Sequence, residues 1–74
     1  MTGRTYKMLD LVGASEKSIE DAINTALSRA SKTVRHMDWF EVKELRGTVN
    51  NGKVGQYQVK FQAGFRIEEE GAKT

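Results

Sequence analysis

The most regular pattern in the 74-residue chain is a row of apolar side chains at spacings of three and four. This spacing places them on one face of an α-helix. Gly13 and Ala14 interrupt the preceding pattern, and Ser15 is predicted to cap the helix by accepting a hydrogen bond from a first-turn amide. We therefore expect one long helix with one buried face. The apolar row comprises Ile19, Ala22, Ile23, Ala26, Leu27, Ala30 and Val34.

Alternation of apolar and polar residues predicts three β-strands around this helix. They span residues 4–12, residues 39–49 and residues 57–67. In the second strand the apolar residues change parity, which predicts a β-bulge at residues 44–47. Between the second and third strands, Asn50-Asn51-Gly52-Lys53 predicts a tight hairpin turn, because Asn-Gly tolerates the positive φ angles of such turns.

The order of these elements predicts an α+β fold, β-α-β-β. The helical crossover makes the first two strands parallel, and the hairpin makes the third antiparallel to the second. We expect a three-stranded antiparallel-type sheet of order 1-3-2, with the helix packed on one face. Residues 1–67 are predicted to form a single domain, and the charged residues 68–74 a solvated tail. The open face would carry Gln58, Lys60, Gln62 and Arg66.

Composition adds an expectation of self-association. A chain of this size buries only about 60% of the surface that its unfolded form exposes. It has no cysteine and one histidine, which removes disulfides and predicts no metal site. Oligomerisation is the remaining source of stability. With a net charge of +2 and neither a secretory h-region nor a membrane-spanning apolar run, we expect a cytoplasmic protein that binds no membrane.

Charged residues are distributed along the helix in the sense that favours its dipole. Acidic residues occupy the amino-terminal turns, and basic residues the carboxyl-terminal end. A phosphate-binding patch is the alternative explanation of the basic cluster. The acidic group is Glu16, Glu20 and Asp21, and the basic group is Arg29, Lys32, Arg35 and His36.

Residues typical of catalysis do not form a recognisable set. No Ser or Cys nucleophile pattern accompanies His36. Glu41 and Glu44 are interpreted as solvated strand charges rather than an acid–base pair. We therefore expect neither an enzyme nor a catalytic residue.

Trp39, the single tryptophan, lies where the helical pattern gives way to the second strand. Its ring can be a core residue or a stacking face for a planar ligand. Three glutamines, Gln56, Gln58 and Gln62, supply hydrogen-bonding amides on the strand that follows the hairpin. A stacking face with amides at its edge suits a flat heterocycle, which two copies meeting across a symmetry axis would enclose between two tryptophans.

Five segments, taken together, resemble the dodecins, small flavin-binding proteins that assemble as hollow dodecamers. The resemblance extends over residues 6–66. Ala14 stands where the family usually has Thr, and the tail after Ile67 is rather long; we expect both differences to lie away from the ring site. The segments are Leu11-Val12-Gly13-Ala14-Ser15, Asp38-Trp39-Phe40-Glu41-Val42, Arg46-Gly47, Tyr57-Gln58-Val59 and Gly64-Phe65-Arg66.

The resemblance implies a flavin site made by neighbouring subunits. Trp39 would stack on the isoalloxazine ring and Gln58 would hydrogen-bond its polar edge, with two flavins stacked between tryptophans. Arg46, typical of bacterial members, would lie near the flavin, and Glu44 would approach the ribityl chain. The implied function is flavin storage, sequestration and quenching of the excited state. FMN is the expected cofactor, with riboflavin and FAD as alternatives.

Two further ligands and one structural role stay open. The resemblance also implies coenzyme A, whose phosphates would meet basic groups such as Lys7 or Arg66. A small RNA-binding module would combine Trp39 with the basic residues and bind less tightly as salt rises, whereas our expectation is that nucleic acid is not a partner. In a purely structural shell, Trp39 would only pack at an interface. The RNA hypothesis uses Arg29, Lys32, Arg35 and Lys43.

Overall fold

The computed structural model describes residues 3–67. These form strand β1 (Tyr6–Ser15), helix α1 (Ile19–Ala30), strand β2 (Met37–Asn50) and strand β3 (Lys53–Arg66). Strand β3 lies between the other two and is antiparallel to both, so the sheet order is 1-3-2. The predicted fold is confirmed. The predicted tail lies outside the described residues, and no helix within those residues has the length and hydropathy needed to cross a bilayer.

Helix α1 covers one face of the sheet and forms the core with β3. Ala22 of the helix and Val59 and Phe61 of the strand are completely buried, and Leu11, Ile23, Ala26 and Leu27 pack around them. Helix and sheet approach so closely at Gly13 that an added Cβ would overlap the carbonyl oxygen of Ala22. Small residues on both sides of this contact therefore set the distance between the layers.

The helix begins later than its sequence pattern predicts. Ser18 is the N-cap, and its hydroxyl accepts from the backbone N–H of Asp21 over 2.9 Å. Ser15 instead ends β1, where it pairs with Tyr57. Its hydroxyl accepts from the backbone N–H of Lys17 over 2.9 Å and donates to the Asp21 carboxylate over 2.7 Å. The prediction of Ser15 as the cap is therefore wrong, although Ser15 fixes the turn into the helix.

The helix also ends earlier than predicted. It stops at Ala30, and Val34 continues the apolar spacing in the segment that follows. Of the basic cluster, only Arg29 lies in the last turn. His36, six residues after the helix, has a positive φ of 64°. Of the four basic residues, only Arg29 therefore lies where a favourable interaction with the helix dipole explains its position.

The predicted hairpin between β2 and β3 is confirmed. Asn51 and Gly52 form its two-residue turn with φ angles of 55° and 77°. The strands close on either side of it through the pair Asn50–Lys53. Two successive positive φ angles match the type I′ turn, whose twist suits paired strands.

A shift of register in β2 explains the change of parity noted in the sequence. Val42 pairs with Phe61 and Glu44 pairs with Lys60, so Lys43 is an extra residue. The bulge is confirmed, but it lies just before the predicted segment, residues 44–47. Gly47 has another role, since a Cβ there would lie 2.5 Å from a carbonyl oxygen of β3.

Candidate functional site

Trp39 lies on the sheet face that the helix leaves open. It pairs with Gly64, whose parity on β3 is opposite to that of the buried core residues. A Cβ at Gly64 would lie within 2.6 Å of three indole atoms, so the ring rests directly on this glycine. The ring of Tyr6 meets the indole edge-on, with centroids 4.8 Å apart, and Trp39 stays 43% exposed. Trp39 is thus a supported ring with accessible surface, not a core residue.

A second group of predicted site residues lies towards the hairpin end of the same face. Arg46 of β2 pairs with Gln58 of β3, and its Nε donates to Gln58 Oε1 over 3.1 Å. Gln58 Nε2 donates in turn to Gln56 Oε1 over 3.0 Å. Glu44 is exposed and pairs with Lys60. Lys60 follows Gln58 by two residues on β3 and therefore lies on the same face of the sheet. The structure therefore brings Arg46, Gln58 and Glu44 into one polar region.

The structure does not bring Trp39 and Gln58 together within one chain. The β3 partner of Trp39 is Gly64, six residues from Gln58. Six residues of extended strand span about 20 Å. The glutamine nearer to Trp39 is Gln62, whose Nε2 donates to Asp10 Oδ1 over 2.8 Å. One chain thus presents a ring platform and an amide group as two separate halves.

Ala14 lies beside the amide group of this site. It is the β1 partner of Gln58, on the opposite side of β3 from Arg46. Ala14 therefore lies beside Gln58, and the expectation that it lies away from the ring at Trp39 stays a prediction. The alternation of apolar and polar residues predicted that the first strand ends at residue 12. Because β1 continues to Ser15, the pairing of Ala14 with Gln58 was not predicted.

A basic hollow of about 390 Å³ lies at the end of the sheet opposite the hairpin. Lys7 and Arg66, the residues expected to meet the phosphates of coenzyme A, both line it, together with Arg35 and His36. Arg66 Nη2 lies 3.2 Å from His36 Nδ1, and since a guanidinium only donates, the imidazole nitrogen accepts. Across residues 3–67, no three His, Asp or Glu side chains form a group that could hold a metal ion.

Comparison with known proteins places this arrangement in a family. The model of the dodecin family matches residues 5–68. The chain belongs to the dodecin family. The dodecin of Thermus thermophilus is 57% identical over 67 residues, which cover 90% of this chain and 97% of that protein. Dodecin membership supports a small flavin-binding protein and a homo-oligomeric assembly.

Solved dodecin structures share the fold. A Thermus thermophilus crystal structure matches with a TM-score of 0.86 and 57% identity, covering 90% of this chain and 98% of that one. Dodecin from Streptomyces davaonensis matches with a TM-score of 0.84 and 41% identity, covering 92% and 100%. Calcium dodecin from Mycobacterium tuberculosis, described with a calcium-binding site, is 27% identical with a TM-score of 0.74, covering 89% and 94%.

The contact between Trp39 and Gly64 predicts the effect of a single methyl group in this dodecin. Gly64→Ala should push the indole off the sheet, because the overlapping atoms belong to a side chain that can move. We expect a red-shifted tryptophan emission and stronger quenching by acrylamide, with stability lowered by less than about 1 kcal/mol, since a movable side chain relieves the overlap. Trp39 is the only tryptophan, so this emission reports on it alone.

Gly3→Ala is the matched control, because a Cβ there meets no atom within 4 Å. Its emission spectrum should coincide with that of the unmodified protein. An unchanged spectrum for Gly64→Ala would show that Gly64 does not support the ring.

Proposed function

We propose that this dodecin binds flavin for storage, sequestration and photoprotective quenching, as a hollow dodecamer, with FMN as the preferred form. The observation that carries the proposal is the position of Trp39. Its ring is held against Gly64 and Tyr6, yet 43% of the residue remains exposed on the uncovered face. A rigid aromatic face beside open space is suited to stacking on isoalloxazine.

The site in this proposal is shared between subunits. Trp39 and Gln58 are about 20 Å apart along β3, from the rise per strand residue, so one chain cannot offer both to one ring. We assign the stacking face to one subunit and the amide group to a neighbour. Gln58 would meet the polar edge of the isoalloxazine, and Glu44 would lie near the ribityl chain. The homo-oligomeric assembly of dodecins supplies the neighbour.

Arg46 supports the choice of FMN over riboflavin. Its Nε is used by Gln58, which leaves the two terminal nitrogens of the guanidinium for another acceptor. Guanidinium groups bind phosphate through such paired N–H donors. A flavin with one terminal phosphate therefore gains a contact that riboflavin lacks.

A fluorescence titration of flavin tests the proposal. Flavin-depleted protein is added to FMN, and emission at the flavin maximum is followed. We expect strong quenching that saturates near one flavin per chain and weakens with salt much less than RNA binding would. Emission that stays unquenched at high protein concentration would contradict the proposal. Binding of RNA that weakens steeply with salt would instead support the alternative nucleic-acid function.

We also propose coenzyme A as a second ligand, because a basic hollow lies at the end of the sheet opposite the hairpin. Lys7, Arg35 and Arg66 line it together, and a cluster of cations favours phosphate groups. Lys7→Ala should weaken coenzyme A binding by roughly two- to fivefold, the effect of one solvent-exposed ion pair of about 0.5–1 kcal/mol. Isothermal titration calorimetry measures the change. Lys17→Ala, an exposed lysine outside the hollow, should leave the affinity unchanged.

A further inference from the structure

The amide of Gln58 is held from two sides on the open face. Arg46 Nε donates to its oxygen over 3.1 Å, and its nitrogen donates to Gln56 Oε1 over 3.0 Å. Arg46 lies directly across from Gln58 on β2, and Gln56 precedes Gln58 by two residues on β3. The three side chains form one hydrogen-bonded row near the hairpin end of the sheet.

The chemistry of the guanidinium fixes the direction of this row. An arginine side chain carries N–H donors and no acceptor, so the amide oxygen of Gln58 must face Arg46. The amide nitrogen then faces Gln56, which presents its own oxygen. An isolated glutamine amide can turn over and exchange donor for acceptor. Here the turn would set the Gln58 nitrogen against the donors of Arg46, so one orientation is selected.

The selected orientation leaves Gln58 with a defined pair of binding positions. Its oxygen has two lone pairs and its nitrogen two hydrogens, and within residues 3–67 each group makes one hydrogen bond. The remaining acceptor lies on the Arg46 side and the remaining donor on the Gln56 side. On the β1 side the neighbour of Gln58 is Ala14, whose methyl group cannot hydrogen-bond to either position.

We infer that Arg46 and Gln56 are positioning residues that orient Gln58 towards ring edges carrying an N–H beside a C=O, as in a cyclic imide or lactam. The inference rests on the proposed function, because the orientation matters only if Gln58 meets the ligand. It gives Gln56 a role in the site and gives Arg46 a role exerted through Gln58. A ring whose edge N–H is alkylated binds less tightly, since it leaves the Gln58 oxygen without a donor.

A double-mutant cycle on the assembled protein tests whether Gln56 acts through Gln58. Riboflavin is the probe, because it has no phosphate to meet the charge of Arg46. Gln56→Leu should weaken binding by about two- to tenfold, the range of one neutral hydrogen bond. Gln56→Glu, which still accepts from Gln58, should restore most of the affinity. In a Gln58→Ala background, Gln56→Leu should have no further effect.

Two companion measurements examine the Arg46 side and the ring edge. Arg46→Lys keeps a donor facing Gln58 and should bind riboflavin more tightly than Arg46→Met. The unmodified protein should prefer lumiflavin to 3-methyllumiflavin by about 5- to 150-fold, the range for leaving one acceptor unpaired. This preference should shrink in Gln58→Ala.

The outcomes separate the inference from the proposed function. Equal losses from Gln56→Leu in both backgrounds would overturn the positioning role while flavin binding stands. An equal affinity for lumiflavin and 3-methyllumiflavin would overturn the assigned ring edge. Riboflavin binding unaffected by Gln58→Ala would overturn the inference and leave the Trp39 face as the site. No riboflavin binding by the unmodified protein would overturn both.

Discussion

Replacing Trp39 with alanine is expected to weaken flavin binding by roughly 5- to 150-fold, because stacking on one aromatic ring contributes about 1–3 kcal/mol. The same change should remove most of the quenching of flavin emission in any complex that still forms. The dodecamer should persist, since Trp39 rests on Gly64 and Tyr6 of its own chain and is absent from the core. Flavin titration and size-exclusion chromatography with light scattering measure the two effects.

Two controls give this result its meaning. Trp39→Phe retains a smaller stacking face and should bind with intermediate affinity. Val12→Ala removes another apolar side chain, 62% exposed, and should bind flavin as the unmodified protein does. If the Trp39→Ala protein binds flavin as tightly as the unmodified protein does, Trp39 is not the stacking site. Trp39→Ala protein that no longer assembles would favour the structural-shell hypothesis.

Gly13→Ala is expected to have the largest effect on folding of any single methyl addition considered for this dodecin. The added Cβ would overlap the backbone carbonyl of Ala22 and lie 3.2 Å from the Cβ of Ala26. Because the backbone atoms of a helix cannot turn away as a side chain can, the whole helix would have to move off the sheet. Overpacking typically costs about 1–3 kcal/mol, and we expect a loss at or above the upper end. Small domains have only about 5 kcal/mol in total, so the melting temperature should fall by more than about 10 °C.

Thermal unfolding followed by circular dichroism, at one fixed protein concentration, measures this loss. Gly64→Ala is the matched control, because it adds the same methyl group on the other face of the sheet, against a side chain that can move. It should melt within a few degrees of the unmodified protein. A Gly13→Ala protein with the same melting temperature would mean that the helix and sheet are less closely packed at this point.

The strand order and the hairpin were predictable because local chemistry determines them. Asn51-Gly52 suits a turn with two positive φ angles, and the helix between the first two strands excludes a hairpin there. The helix ends were less predictable. Ser15 and Ser18 are both suitable caps, and the choice depends on how far β1 stays paired with β3. Pairing of Ser15 with Tyr57 is a long-range contact, which no local pattern reports.

The candidate site was predictable in its residue types but not in its arrangement. Trp39 and Gln58 were identified from their chemistry and from the resemblance to dodecins. Their separation along β3 depends on register, which a bulge in β2 alters. The hydrogen bond from Gln58 to Gln56 depends on side-chain conformations, which strand alternation does not specify.

The extra residue at Lys43 places Trp39 and Arg46 on the same face of the sheet. Trp39 and Arg46 are seven positions apart, an odd number, so in a regular strand they would project from opposite faces. The irregularity at Lys43 places the partners of both, Gly64 and Gln58, on the same side of β3. Deletion of Lys43 would remove the bulge and leave Trp39 and Arg46 six positions apart, an even number that keeps them on one face of a regular strand. Among relatives, an interval of seven positions should therefore occur with a bulge and an interval of six with a regular strand.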